Sequence, residues 1–290
     1  MSAAELGTTS AAADAHFMSQ SAMSSALTDL ERVLGIQLLV RSKAKGVRPT
    51  AAGHRLLPQA RALLSAAADL HAHATDLEEG LSGPLVIGCH LALAPYLLPR
   101  LIHDFGKRHP AVEIDFIEGS HPDLERLLFE GRCEIAITYD LAAHPRIERQ
   151  PLYAAQYHVL LPGGHRLCHQ ESVSLAALAP EPVVFLDVSP GEYFWRAYEA
   201  AGATPNVRFR TVTFEHARAL VARGLAYTLV AHRVQRERPP WGPEVVSKPL
   251  NEDVPRLPVA IAHAAGARQT RRARTFTAYC VEALREPAPG

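Results

Sequence analysis

An α/β fold is predicted for this 290-residue chain on three observations. Apolar residues recur at three- and four-residue steps as far as Leu77, which is the period of helices packed along one face. After the Gly80-Leu81-Ser82-Gly83-Pro84 break the pattern changes to short apolar runs separated by amphipathic stretches, the alternation of strand and helix. Formal net charge is zero, so any attraction to a polyanion has to come from a local cluster, and Arg41, Lys43, Lys45 and Arg48 supply one with no acidic residue among them.

The first elements are short. Thr8 can cap a helix reaching His16, whose Ala11, Ala12 and Ala13 permit close packing. Ser19 caps a second helix with an apolar face at Ala22, Met23, Ala26, Leu27, Leu30, Val33 and Leu34, expected to be buried. Its other face carries Ser21, Ser24, Ser25 and Thr28, small hydroxyls that let the helix lie close to another surface. Helix, tight turn, helix and basic loop form the layout of a major-groove reader. Gln20 is the best base reader, because its amide both donates and accepts and can distinguish bases by about 1–3 kcal/mol. Ser19, Ser21, Ser24 and Ser25 would meet bases or phosphates, and Arg41, Lys43, Lys45 and Arg48 the phosphate backbone.

Thr50 then caps a long helix to about Leu81, with Leu56, Leu57, Ala60, Leu63, Leu64, Ala67, Leu70, Ala74 and Leu77 on one narrow stripe suited to a partner helix. Pro58 predicts a break or kink near its start. His71 and His73 are two apart and fall on different sides of it, which opposes a metal site.

Beyond Pro84 the strands expected are Leu85–Gly88, Val112–Phe116, Glu134–Thr138, Val159–Leu161, Val183–Leu186, Val207–Arg210, Tyr227–Val230 and Val259–Ala262. The helices expected are Tyr96–Lys107, Pro122–Glu130, Tyr193–Ala201, Phe214–Arg223 and about Gln269–Leu284. The alternation points to a parallel sheet with crossover helices. A basic run at Arg268, Arg271, Arg272 and Arg274 reads as a solvated helix face.

The four cysteines, Cys89, Cys133, Cys168 and Cys280, show no CxxC spacing and read as buried thiols. The N-terminus has no secretory pattern and no apolar run reaches membrane-spanning length, so a cytoplasmic protein without membrane contact is expected. His165-x-x-Cys168-His169 has metal-like residue types without the spacing of a closed zinc site. No phosphate loop, GxSxG elbow or HExxH is present, so no cofactor and no enzymatic activity are expected.

The run SAAADAHFMSQSAMSSALTDLERVLGIQLLVRS, followed by RPTAAG, resembles the winged helix-turn-helix of the LysR-type transcriptional regulators. The matching elements are Ala12-Ala13, Ser19-Gln20-Ser21-Ala22, Ser24, Leu30-Glu31, Gly35, Leu38, Arg41 and Thr50-x-x-Gly53. Later phrases, GPLVIGCHLALAPYLLPRLIHDFGKRHP, LLFEGRCEIAITYD, AAGATP and FEHARALVARGLAYTLV, resemble the effector-binding half of the same family.

The resemblance implies a DNA-binding domain at 1–50, a dimerising linker helix at 51–82 and a two-lobed α/β effector domain, like that of periplasmic binding proteins, at 83–290. Lobe I would take about 83–158 and 255–290, and lobe II about 159–254. It implies a homodimer or homotetramer that binds double-stranded promoter DNA and a small-molecule effector, by default a carboxylate. Three departures stand out. Met1–Gly7 supplies only the last turn of the family's first helix; His16 occupies a slot that is usually an apolar core residue; Ser25, Thr28 and Asp29 replace basic or amide side chains. The shortened first helix leaves open an effector-binding protein with weakened DNA contact as the alternative.

In such folds ligands bind outside the carboxyl ends of strands, beside helix N-termini. That places the effector near His90, Leu91 and Ala92, near Ser120, His121 and Tyr139, and near Thr213 and Phe214, with Asp187 closing from the second lobe. His90 is either a charged donor to an anionic effector or a wall residue packed on an aromatic ring. Ala92 and Ala226 replace the family's usual Ser or Thr and Gly.

Overall fold

The computed structural model describes residues 1–42, 46–79, 81–141, 144–187, 192–231 and 242–284. It divides into two compact units: Met1–Gly83 together with Phe129–Arg132, and Pro84–Leu128 together with Cys133–Gly290.

The first unit begins with α1 (Ser2–Glu5), α2 (Thr9–Ala15) and α3 (Gln20–Leu34). The Thr8 hydroxyl accepts from the Ala11 N–H and the Ser19 hydroxyl from the Ala22 N–H, both at 3.1 Å, so both predicted caps form. Gly35 ends α3 in the left-handed conformation that glycine adopts without strain. The hairpin β1 (Leu39–Ser42) and β2 (Gly46–Pro49) follows, paired antiparallel with Val40 opposite Arg48 and Arg41 opposite Val47. Ala3, Ala12 and Val47 form a small core against which Met23, Leu27 and Leu39 pack.

The apolar face of α3 is not buried as its spacing predicts. None of its residues is fully buried, and Leu30, Val33 and Leu34 are exposed. Of that face only Met23 and Leu27 pack, half-buried, against the small core. His16 is exposed rather than in a core slot, and its Nε2 lies 2.7 Å from the Ser2 hydroxyl.

A break or kink is expected at Pro58; the helix α4 (Ala51–Glu79) runs through that residue without a break. Proline deletes one N–H bond and leaves the rest of the ladder to carry the helix. Thr50 is tied at both ends of its hydroxyl: it donates to the Gln37 carbonyl at 2.8 Å and accepts from the Gly53 N–H at 3.0 Å. Gly53 is required for packing, since a Cβ there would stand 2.2 Å from the Leu38 carbonyl oxygen. Arg61 donates from Nε and Nη2 to Glu5 and from Nη1 to the Glu130 carbonyl.

The second unit holds β3 (Gly83–His90), α5 (Ala94–Arg108), β4 (Val112–Gly119), α6 (His121–Phe129), β5 (Ile135–Tyr139), β6 (Ile147–Ala155) and β7 (His158–Pro162). It continues with a 3-10 turn at Arg166–His169, α7 (Leu175–Leu178), β8 (Pro182–Leu186), α8 (Glu192–Ala200), β9 (Asn206–Thr211), α9 (Phe214–Ala222), β10 (Thr228–Val230), β11 (Val245–Pro249), β12 (Leu257–Ala264) and α10 (Arg271–Ala283). One sheet has the order β4-β3-β5-β12-β6, a second β10-β7-β11, and β8 pairs with β9.

The sheets are mixed, which corrects the parallel expectation. β3 runs parallel to β5 and β8 to β9, but β12 is antiparallel to both β5 and β6, and β7 is antiparallel to β10 and β11. The late strand β12 slots between β5 and β6, antiparallel to both. Ile87, Ile135 and Ile137 are fully buried at the centre of the first sheet, and Phe105 meets Phe276 at 5.0 Å under α5 and α10. The C-terminal basic run is not uniformly solvated. Arg272 is buried and donates from Nε to the Pro84 carbonyl at 2.9 Å.

Candidate functional site

The reading helix presents Gln20, Ser21 and Ser25 as exposed side chains, with Ser24 half-buried. Their i, i+4 and i+5 spacing sets them along one side of the N-terminal turns. The Ser19 hydroxyl is committed to capping and lies 3.0 Å from the Ser21 hydroxyl. Thr28 donates to the Ser24 carbonyl at 2.9 Å, and Asp29 pairs with Arg32, also at 2.9 Å. Both are occupied within the helix. On the hairpin, Arg41 belongs to β1 and Arg48 is exposed on β2, whereas Lys43 and Lys45 lie outside the described residues.

Glu31 was in the matched motif without an assigned role, and the structure supplies one. Its Oε1 accepts from the backbone N–H groups of Leu38 at 2.7 Å and Leu39 at 2.9 Å, fixing the start of the hairpin to α3. An acidic residue in the last turn ahead of a glycine stop was the available signal.

In the second unit His90 ends β3 and is 1% exposed. Its Nδ1 accepts from the Ala92 N–H at 3.2 Å, which leaves the ring proton on Nε2. The ring meets Tyr139 edge-on at 5.0 Å, and Tyr139 in turn meets Tyr193 of α8 at 5.2 Å. Burial pushes both tyrosine hydroxyls well above their ordinary range, so both stay neutral. Tyr193 Oη is buried and has no hydrogen-bond partner among the described residues. Leu91 is exposed and Ala92 half-buried at the turn into α5. Phe214, first in α9, meets Tyr96 of α5 edge-on at 6.4 Å, while Thr213 is exposed ahead of it. Asp187 is exposed; its N–H donates to the Thr211 carbonyl at 2.8 Å, and its carboxylate lies 3.7 Å from Arg210.

Two of the residues predicted for this crevice are engaged by neighbouring side chains. Ser120 donates from its backbone N–H and its hydroxyl to Asp123 and so caps α6. His121 faces a small separate cavity lined also by Leu124, Glu125, Thr138 and Arg149. Its Nδ1 is 3.2 Å from the Thr138 hydroxyl and its Nε2 is 3.4 Å from Glu125, while Arg149 lies 3.9 Å from Glu125 and 3.4 Å from Asp140. Spacing brings a residue to a strand end, but the direction of its side chain depends on packing. Glu125 and Arg149 carried no sequence signal, because one is an ordinary helix acid and the other sits in a strand not foreseen.

The suspected His165-x-x-Cys168-His169 cluster is a structural turn. His165 Nδ1 accepts from the Leu167 N–H, and its Nε2 is 2.6 Å from Glu181, which also receives Arg166 at 2.7 Å. Among the described residues no group of three or more His, Cys, Asp or Glu is disposed to hold a metal ion, and no helix is long and apolar enough to cross a membrane.

Residues 1–54 match the bacterial regulatory helix-turn-helix protein model of the lysR family, and residues 78–285 match the LysR substrate binding domain. A hydrogen peroxide-inducible genes activator of Pectobacterium carotovorum is 31% identical over 263 residues, covering 88% of this chain and 84% of the relative. The crystal structure of HinK, a LysR family transcriptional regulator from Pseudomonas aeruginosa, superposes with a TM-score of 0.68 at 34% identity, over 98% of this chain and 95% of that one. Full-length CbnR complexed with its target DNA shares the fold, with a TM-score of 0.60 at 21% identity over 97% of this chain and 96% of that one.

Proposed function

The chain belongs to the LysR family of bacterial regulatory helix-turn-helix proteins, and from that premise we propose which of its residues read DNA and which sense the effector. It is a transcriptional regulator: its helix-turn-helix domain binds promoter DNA, its substrate-binding domain takes a small-molecule effector, and it acts as an oligomer in the cytoplasm.

Promoter contact is assigned to Gln20, Ser21, Ser24 and Ser25 on α3, and to the basic residues Arg41, Lys43, Lys45 and Arg48 that follow it in sequence. The observation that carries this is the face of α3, exposed at Gln20, Ser21 and Ser25 and small enough to enter a groove. With Asp29 and Arg32 neutralising each other, the helix supplies little net charge, so affinity rests on the hairpin. The proposed boundaries are 1–50 for the DNA-binding domain, 51–82 for the linker helix and 83–290 for the effector domain. Lobe I takes about 83–158 and 255–290, and lobe II about 159–254.

The effector is assigned to the crevice at His90, Leu91, Ala92, Tyr139, Asp187, Thr213 and Phe214, with Ser120 at its edge and His121 beneath. His90 acts there as a wall residue, buried and packed edge-on against Tyr139, which supports its packed reading over the charged one. The Tyr139–Tyr193 contact joins residues of the two proposed lobes, so a molecule entering there changes how they pack. A small carboxylate is the class favoured by the neighbouring helix N-termini. We read the crevice as sensing rather than catalytic, in keeping with relatives that regulate transcription. A thiol-based signal is disfavoured by Cys89, Cys133 and Cys280, which are all buried.

A salt titration of binding to a duplex selected by the protein from a randomised pool tests the DNA assignment. Replacing Lys43 and Lys45 with alanine lowers the slope of log K against log salt by about one to two units. An unchanged slope removes the hairpin assignment. Thermal-shift screening of small carboxylates against wild type and Tyr139→Ala tests the crevice.

A further inference from the structure

The turn between α2 and α3 is closed by an unusual residue. The Phe17 N–H donates to the Asp14 carbonyl at 3.2 Å and the Met18 N–H to the Ala13 carbonyl at 3.0 Å. These two bonds make the helix stop that calls for a left-handed residue after the cap, a place usually taken by glycine and sometimes asparagine. Phe17 holds it with φ of 53°, and every other positive-φ position among the described residues is glycine. A bulky side chain in that region is strained, and such strain concentrates where function requires it. The same ring is 100% exposed, the most exposed large apolar side chain among the described residues. Phenylalanine here therefore helps the free protein neither through backbone nor through packing.

Its place in the chain identifies what it meets. Phe17 stands two residues before the Ser19 cap and three before Gln20, at the end of α3 that enters the groove. The α3 face itself offers only an amide and small hydroxyls, whereas the ring adds apolar reach at its mouth.

We propose that Phe17 is a DNA-contacting residue, its ring lying against the apolar surface of the groove edge formed by a thymine methyl or a deoxyribose. The proposal rests on the assignment of α3 as the reading helix. A thymine methyl is a recognised partner for phenylalanine in direct readout, and an uncharged contact adds affinity without releasing counterions.

Fluorescence anisotropy with the full chain and a duplex selected by wild type from a randomised pool tests it. Phe17→Gly and Phe17→Asn relieve the strained turn, so both raise the melting temperature while weakening DNA binding about tenfold. The salt slope stays at the wild-type value, and Phe17→Tyr binds like wild type. Substituting deoxyuridine for thymidine separates the two surfaces: a loss for wild type that Phe17→Gly does not show marks the methyl, and no such loss marks the sugar. Equal affinity of Phe17→Gly and wild type overturns the proposal while leaving α3 as the reader. So does a Phe17→Gly chain that loses mass in sedimentation and binds like wild type once its oligomeric state is matched, which assigns the ring to a contact between copies. A wild-type chain that enriches no duplex at all defeats the reading-helix assignment itself.

Discussion

The carboxylate of Glu31 lies 2.7 Å from the backbone nitrogen of Leu38, so the last turn of α3 holds the first residue pair of the wing. The neighbouring Leu39 N–H bonds to the same oxygen, at 2.9 Å, and one acceptor thus serves two donors that would otherwise face solvent or nothing. Glu31→Ala is expected to lower stability by about 2 kcal/mol, the scale of losing charge-assisted hydrogen bonds at a half-buried site. Glu31→Gln retains an acceptor and loses less. Urea unfolding of both variants measures the difference, and DNA affinity falls in the same order because the wing loses its anchor.

Acid sensitivity has one source at His121. Burial holds its imidazole below the ordinary histidine range, while Glu125 pulls in the opposite direction and Arg149 adds to the lowering. The unfolded chain takes up this proton first, near pH 6.5, so the folded state loses stability as pH falls from there towards the lowered folded value. His121→Asn removes the proton uptake. The drop in melting temperature between pH 7.5 and pH 5.5 is expected to be smaller for that variant than for wild type (the pH values are about one unit either side of the free histidine).

At the 3-10 turn the linkage has the same sign and a lower window. Burial would raise the Glu181 carboxyl, but hydrogen bonds from His165 and Arg166 outweigh it and the net shift is downward. The stabilisation is present above the unfolded carboxylate range and is lost as pH falls through the folded value, below about pH 4.3. Glu181→Gln is expected to cost on the order of 1 kcal/mol at neutral pH and less at pH of about 3, read by chemical unfolding at both.

Thiol reactivity ranks the cysteines. Burial pushes the Cys89 and Cys280 thiols up, with Glu118 adding to the effect at Cys89, and Cys133 is buried too. Cys168 is half-exposed. Brief iodoacetamide treatment of the folded protein is expected to label Cys168 first, with the other three labelled only on unfolding; mass spectrometry of the peptides gives the order.

Much of the helix-turn-helix was readable because its determinants are local. Ser19, Thr8, Thr50 and Gly35 act within a few residues of themselves, and a cap or a stop is written beside the bond it makes. The strands β6 and β11 were not foreseen. Both lie at sheet edges, where one side of the backbone is unpaired and the side chains need not be apolar. β6 even tolerates Pro151 beside the irregular register at Val259 and Ala260. The direction of β12 was equally hidden, since an apolar run reads the same in either orientation. The places of His90 and Tyr139 at strand ends are legible in the sequence, since each closes an apolar run. The contacts of Ser120 and His121 depend on Asp123, Glu125 and Arg149, none of which advertises itself in sequence.

The join between wing and linker helix involves backbone at nearly every point. Gly53 leaves no room for a methyl group beside the Leu38 carbonyl, and Thr50 bonds on one side to the Gln37 carbonyl and on the other to the Gly53 amide. The Thr50 N–H also donates to the Leu38 carbonyl at 2.9 Å, so backbone meets backbone directly there. A shift of α4 against the hairpin therefore has to break these contacts or carry the hairpin with it.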